Sequence, residues 1–161
     1  MKPRSKALVL VTALALLSLA GCNRQHPSTI NTEASLTGKL PYNPLAWTVV
    51  TSWVNDRSGT MSTLYGNDVA VQYARSNSAH VYPAGSVLAL VTWAQRDDPH
   101  WFGAKIPSAP QSVEFVVVPS PPEASPTYQR YTGSPLALAA TTDADATRVS
   151  YLTAQRAAVM P

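Results

Sequence analysis

The strongest candidate for chemistry in this 161-residue chain is Asp97-Asp98-Pro99-His100-Trp101-Phe102-Gly103-Ala104-Lys105. An imidazole beside two carboxylates can ligate a divalent cation through nitrogen and oxygen together. Trp101, Phe102 and, from further upstream, Tyr82 could supply an aromatic wall for a flat ligand. The plainer reading is a surface loop: Asp98-Pro99 starts a turn, His100 is solvated, and the aromatics close the end of a sheet. His80 stands ahead of a turn at Pro83, and His26 lies in a polar stretch. The three histidines make no metal-binding spacing, so no metal ligand is nominated.

Other reactive arrangements are weaker. Cys22 is the only cysteine, which leaves the rest of the chain without a disulfide, a thiolate metal site or a thiol nucleophile. No serine sits in a G-x-S-x-G elbow, and no glycine-rich loop matches a phosphate cradle. The acids are scattered. Glu114, inside the apolar run SVEFVVV, is expected to face solvent or to pair with an arginine across a sheet. No catalytic residue emerges.

The first 22 residues speak about location. Lys2, Arg4 and Lys6 precede an apolar run from Ala7 to Ala20, interrupted by Thr12 and Ser18. That run suits the apolar region of a signal peptide and is too short to span a bilayer. It closes on Leu19-Ala20-Gly21-Cys22, which resembles the lipobox of bacterial lipoproteins. The resemblance implies cleavage before Cys22, lipid on its thiol and an anchor on the periplasmic side of the cell envelope. Asn23 in the next position implies the outer membrane, as for enteric lipoproteins.

With the leader removed, the +3 charge of the whole chain disappears, because nine basic residues then face nine acids. No Lys/Arg cluster remains to hold a phosphate backbone, which argues against nucleic-acid binding. Residues 22–42 are polar and without period, and read as the lipidated cysteine plus a flexible tether. Residues 43–161 are long enough for one domain with a true core.

That domain reads as α+β, mainly antiparallel sheet with short flanking helices. Trp47 to Val54 alternates as a strand, with Trp47, Val49, Thr51 and Trp53 on one face and Val50 and Val54 on the other. Asn55 to Gly59 is a turn, and Thr60 to Tyr65 returns as a second strand. Gly66-Asn67-Asp68 is a strand-to-helix corner, with Gly66 permitting an unusual backbone and Asn67 capping a helix over Val69 to Arg75. Pro83 and Gly85 suit the second and fourth positions of a type I turn. Ser86 to Trp93 and Ser112 to Val118 are apolar enough for central strands. Pro119 ends the second, and a proline-rich loop runs to Pro126. Asp143 to Val159 is expected to be a helix capped by Asp143, with Val149, Leu152 and Arg156 on one side.

Three of these segments together resemble the cytochrome P460 family. They are Thr63-Leu64-Tyr65-Gly66-Asn67-Asp68-Val69-Ala70 with Ala74-Arg75, then Tyr82-Pro83-Ala84-Gly85-Ser86-Val87, then Trp93. The gap between Leu64 and Gly66 is tighter than in the family pattern. The resemblance spans about residues 45 to 118 and implies a mostly antiparallel β fold, often dimeric, with a haem pocket on one side. Relatives bind haem through a C-terminal C-x-x-C-H motif, but within these residues no cysteine follows Cys22 and no histidine follows His100. The family's haem-linked lysine would fall near Leu90, which has no amine. The resemblance thus implies the fold without the family's redox activity. Two functions follow: a non-catalytic module binding a small ligand or an envelope protein, or a protein holding non-covalent haem with His100 as axial ligand.

Overall fold

A computed structural model describes residues 30–76, 81–120, 125–140, 142 and 145–158. Cys22, His26, His80 and Asp143 lie outside the described residues. The strands are β1 (Thr48–Asn55), β2 (Thr60–Gly66), β3 (Val87–Asp97), β4 (Lys105–Val117), β5 (Thr127–Thr132) and β6 (Ala137–Leu138). They form one antiparallel sheet in sequence order. Helices α1 (Asp68–Arg75) and α2 (Asp145–Thr153) lie on one face. The architecture is α+β and mainly antiparallel sheet, as the alternating runs predict.

The sheet has a core on each face. Leu64, Leu88, Leu90 and Val116 meet Ala70, Val71 and Ala74 of α1 and Leu152 of α2. On the opposite face lie Ala89, Val91, Trp93, Val113 and Phe115. The strict two-residue alternation of β3 and β4 divides their side chains between these cores. Both strands are apolar on both faces because both faces are covered.

What covers the second face is the stretch expected to be tether. From Asn31 onward the chain lies along the sheet, packing Ala34, Leu36, Leu40 and Trp47 against that core. The Trp93 indole donates to the Ala34 carbonyl at 2.9 Å, and Asn31 Nδ2 donates to the Pro107 carbonyl at 2.6 Å. Gly38 bridges to Leu136, and Tyr42 sits against the Trp47 and Phe115 rings. The compact part of the chain therefore begins at Asn31, ahead of residue 43. Ala34, Leu36 and Leu40 alternate along the strap, but they are few, and they are only partly buried against the core.

Three local expectations are corrected. β1 carries a bulge between Val49 and Thr51, so Val50 and Trp53 share the helix-face core while Trp47 joins the other. One extra residue shifts the alternation, and periodicity alone cannot reveal it. Gly66 needs no unusual backbone: its φ is not among the positive ones. A Cβ there would come within 3.1 Å of Ala70 Cβ and 3.2 Å of Val50 Cγ2 and Val71 Cγ2, so glycine permits close helix–sheet packing. The turn after Tyr82 is closed by Ser86 N donating to the Pro83 carbonyl, which puts Gly85 (φ 83°) third, as in a type II turn.

Asn67 connects two of the motifs. Its Oδ1 accepts from Ala70 N and Val87 N, both at 3.1 Å, while its Nδ2 donates to the Gly85 carbonyl at 2.8 Å. One side chain thus caps α1 and fixes the turn entering β3. β4 begins earlier than expected, pairing with β3 from Lys105; its first half has no β5 beside it and its register against β3 shifts, which accommodates Pro107 and Pro110. Helix α2 is shorter than its pattern. Thr153 Oγ1, Gln155 Nε2 and Arg156 Nη1 donate to its last carbonyls, and the chain turns away. Ala158 N then donates to Val50 O at 2.8 Å, across the β1 bulge.

Candidate functional site

The helix face of the sheet changes character along its length. At the end under α1 it is apolar, through Leu64, Leu88 and Leu90. One pleat further come Ser62 and Thr92, whose hydroxyls lie 3.0 Å apart, with Ser112 of β4 level with them, while Glu114 of β4 stands opposite Leu90 at the edge of the apolar end. Glu114 is 5% exposed, and a carboxylate so buried must be paired.

Its partner comes from α2. Arg148 Nε donates to Oε2 at 2.8 Å and Nη2 to Oε1 at 2.9 Å, a two-pronged pair. The Tyr128 hydroxyl donates to Oε2 at 2.7 Å from β5. Glu114 neither faces solvent nor pairs across the sheet. Its cross-strand neighbour is Arg130, but the arginine that binds it descends from the helix. The Tyr151 ring lies 4.9 Å from the Arg148 guanidinium carbon, and Trp53 packs edge-on to Tyr151. Asp145 accepts from Thr142 N and Oγ1 at the helix start, which positions Arg148 one turn later.

Above this floor opens a cavity of about 440 Å³, lined by Thr92, Gln111, Ser112, Arg130 and Asp145 together with the Glu114 cluster. Arg130 lines this cavity, and among the described residues it forms no ion pair. Burial, and then the hydrogen bond to Glu114, push the Tyr128 phenol well above its ordinary value. The bond to Glu114 also raises Arg148, which stays charged. Both Glu114 oxygens are occupied and both partners are held protonated. Such a group orients and supports; it is not a free general base.

The residues singled out by sequence are not brought together. Tyr82 is buried, its ring 4.5 Å from Tyr73 and its hydroxyl donating to the Gln155 carbonyl at 3.2 Å. It joins α1 to the C-terminal tail, and burial raises its phenol above the usual range. His100 and Trp101 lie at the tip of the β3–β4 hairpin, both exposed. All of β3, about 35 Å of strand, lies between them and Tyr82. No aromatic wall spans that separation. Among the described residues no three of His, Cys, Asp and Glu stand together as a metal site.

The cavity's donor set does not fit a haem iron. Among the described residues its lining includes no His, Cys or Met, and the phenol there, Tyr128, is held protonated against Glu114. Leu90, where the family's lysine would fall, is buried in the core under α1.

What sequence reasoning missed was the Glu114–Arg148–Tyr128 cluster. The available signal was an acid inside an otherwise apolar strand, which demands a partner. Which of several arginines supplies it depends on how α2 lies on the sheet. No curated protein matches the chain. The model of the family described as Cytochrome P460 matches residues 42–146, well over half of the sequence and reaching from the strap into α2. The chain belongs to the cytochrome P460 family.

Proposed function

We propose that this protein is a lipid-anchored, periplasm-facing envelope module. Its cytochrome P460-family domain works without covalently attached haem and binds a small polar ligand over the Glu114 cluster. The observation that carries the ligand reading is the cavity of about 440 Å³ with a fixed floor and, in its lining, Arg130, a cation in no ion pair among the described residues. Arg130 suits a carboxylate or similar anionic group. Ser112, Gln111 and Thr92 offer neutral hydrogen bonds to the rest of the molecule. With Glu114 already saturated, binding is better supported than proton transfer. The anchoring half rests on the charged start, the apolar run and Leu19-Ala20-Gly21-Cys22, and the outer membrane on Asn23.

Thermal unfolding in the presence of acetate, succinate and citrate tests the pocket. A concentration-dependent rise in midpoint, lost in Arg130→Ala, is the expected result. Midpoints unmoved by all three acids would remove the carboxylate reading. Absorption spectra taken after adding haemin test the competing function. The expected spectrum has no Soret band that depends on His100, and a band abolished by His100→Ala would restore the haem reading.

A further inference from the structure

We propose that the tip of the β3–β4 hairpin is a second membrane contact, inserting Trp101 and Phe102 shallowly into the bilayer on which the lipidated Cys22 is held. This rests on the lipid-anchor reading above. Trp101 is 72% exposed and Phe102 110%, adjacent in sequence and the most exposed aromatic pair among the described residues. Two large apolar rings in water are costly unless something covers them.

The tip is built to present them. Asp98 N donates to the Ala104 carbonyl at 2.9 Å, and Ala104 N donates to the Trp101 carbonyl at 3.0 Å. Asp98 Oδ1 accepts from His100 N at 2.8 Å. Gly103, at φ 78°, supplies the left-handed position the tight turn needs. These bonds hold the rings outward at the apex.

Where the chain enters the domain selects a bilayer as the occupant. Asn31 Nδ2 bonds the Pro107 carbonyl, and Glu33 contacts Ser108 and lies 3.0 Å from Arg96 Nε, all at the base of this hairpin. Cys22 precedes Asn31 by nine positions, a reach of about 30 Å at most. The chain leading from Cys22 therefore enters the domain at the end that carries the aromatic tip. Tryptophan favours the headgroup boundary, where its ring is buried and its N–H stays hydrated. The nearby cations are already neutralised, Lys105 by Asp97 and Arg96 by Glu33. The contact is apolar and does not depend on anionic lipid.

The test uses the full chain, processed and purified from membranes, with its mass recording acylation. It is reconstituted in phosphatidylethanolamine/phosphatidylglycerol vesicles with brominated acyl chains, and then with phosphatidylcholine in place of phosphatidylglycerol. Expected are a blue shift and bromine quenching of tryptophan emission that vanish in Trp101→Phe and are equal in both lipid mixtures. An acylated protein whose Trp101 is unquenched overturns the hairpin contact and leaves the anchor intact. A product without the acyl mass overturns the anchor and this proposal with it. Emission of Trp101 that shifts with protein concentration in the absence of vesicles would assign the tip to self-association instead, and also overturn it.

Discussion

Glu114 with Arg148 and Asp97 with Lys105 are acid–base pairs with one member each on β4, yet they sit in opposite environments. The first lies between sheet and helix, with the Glu114 side chain 6% exposed and a phenol completing its shell. The second stands at the outer end of the hairpin, its side chains 46% and 82% exposed. Water competes for both members of the second, whereas in the first it reaches Arg148, 36% exposed, and is kept from the Glu114 carboxylate. The same two charges therefore give a doubly hydrogen-bonded pair fixed beneath the cavity in one place and a solvated surface contact in the other.

Substitutions break this comparison unequally. The largest effect belongs to Arg148→Ala, which leaves Glu114 buried with only Tyr128. A loss of about 3 kcal/mol is expected, read as a lower urea midpoint. The double variant Glu114→Leu/Arg148→Met removes both charges and should recover to within about 1 kcal/mol of the parent. If it does not, burial of the pair is not what separates the two sites.

Tyr128→Phe comes next, with a cost of about 1 kcal/mol at neutral pH. It also has a pH signature. The folded phenol is raised above its ordinary 10.0, so above that pH the unfolded chain releases a proton that the folded one keeps. The stabilisation is fully present below pH 10 and is lost as pH rises further toward the folded value. Urea unfolding across the alkaline range should fall less steeply in Tyr128→Phe, the remaining slope coming from Tyr65 and Tyr82, also raised by burial. The smallest effect is Lys105→Ala, expected to change stability by under about 0.5 kcal/mol and to change it still less at high salt.

Much of the fold is legible in the sequence. The two-faced apolar runs of β3 and β4, the β1–β2 hairpin and the capped helix after Gly66-Asn67-Asp68 all follow from local pattern. The candidate site was not. His100 and its neighbours were conspicuous by residue type, but type does not report burial, and the hairpin places them in water. Glu114 was visible as an anomaly without an address. The strap was missed because Ala34, Leu36 and Leu40, though they alternate, are too few in a polar stretch to stand out, and their partial burial depends on the sheet beneath them.

Local chemistry along the chain thus determined which segments alternate, where they turn and which residue caps α1, since those choices involve neighbours a few positions apart. It also determined that Cys22 is the one thiol. The tertiary structure decided which acid is dehydrated, which arginine answers it and which aromatics stay outside. Those outcomes depend on contacts between residues dozens of positions apart, such as Glu114 with Arg148 and Asn31 with Pro107. Charge and hydrophobicity belong to a residue, but desolvation belongs to its surroundings, and only the assembled layers of strap, sheet and helix define those.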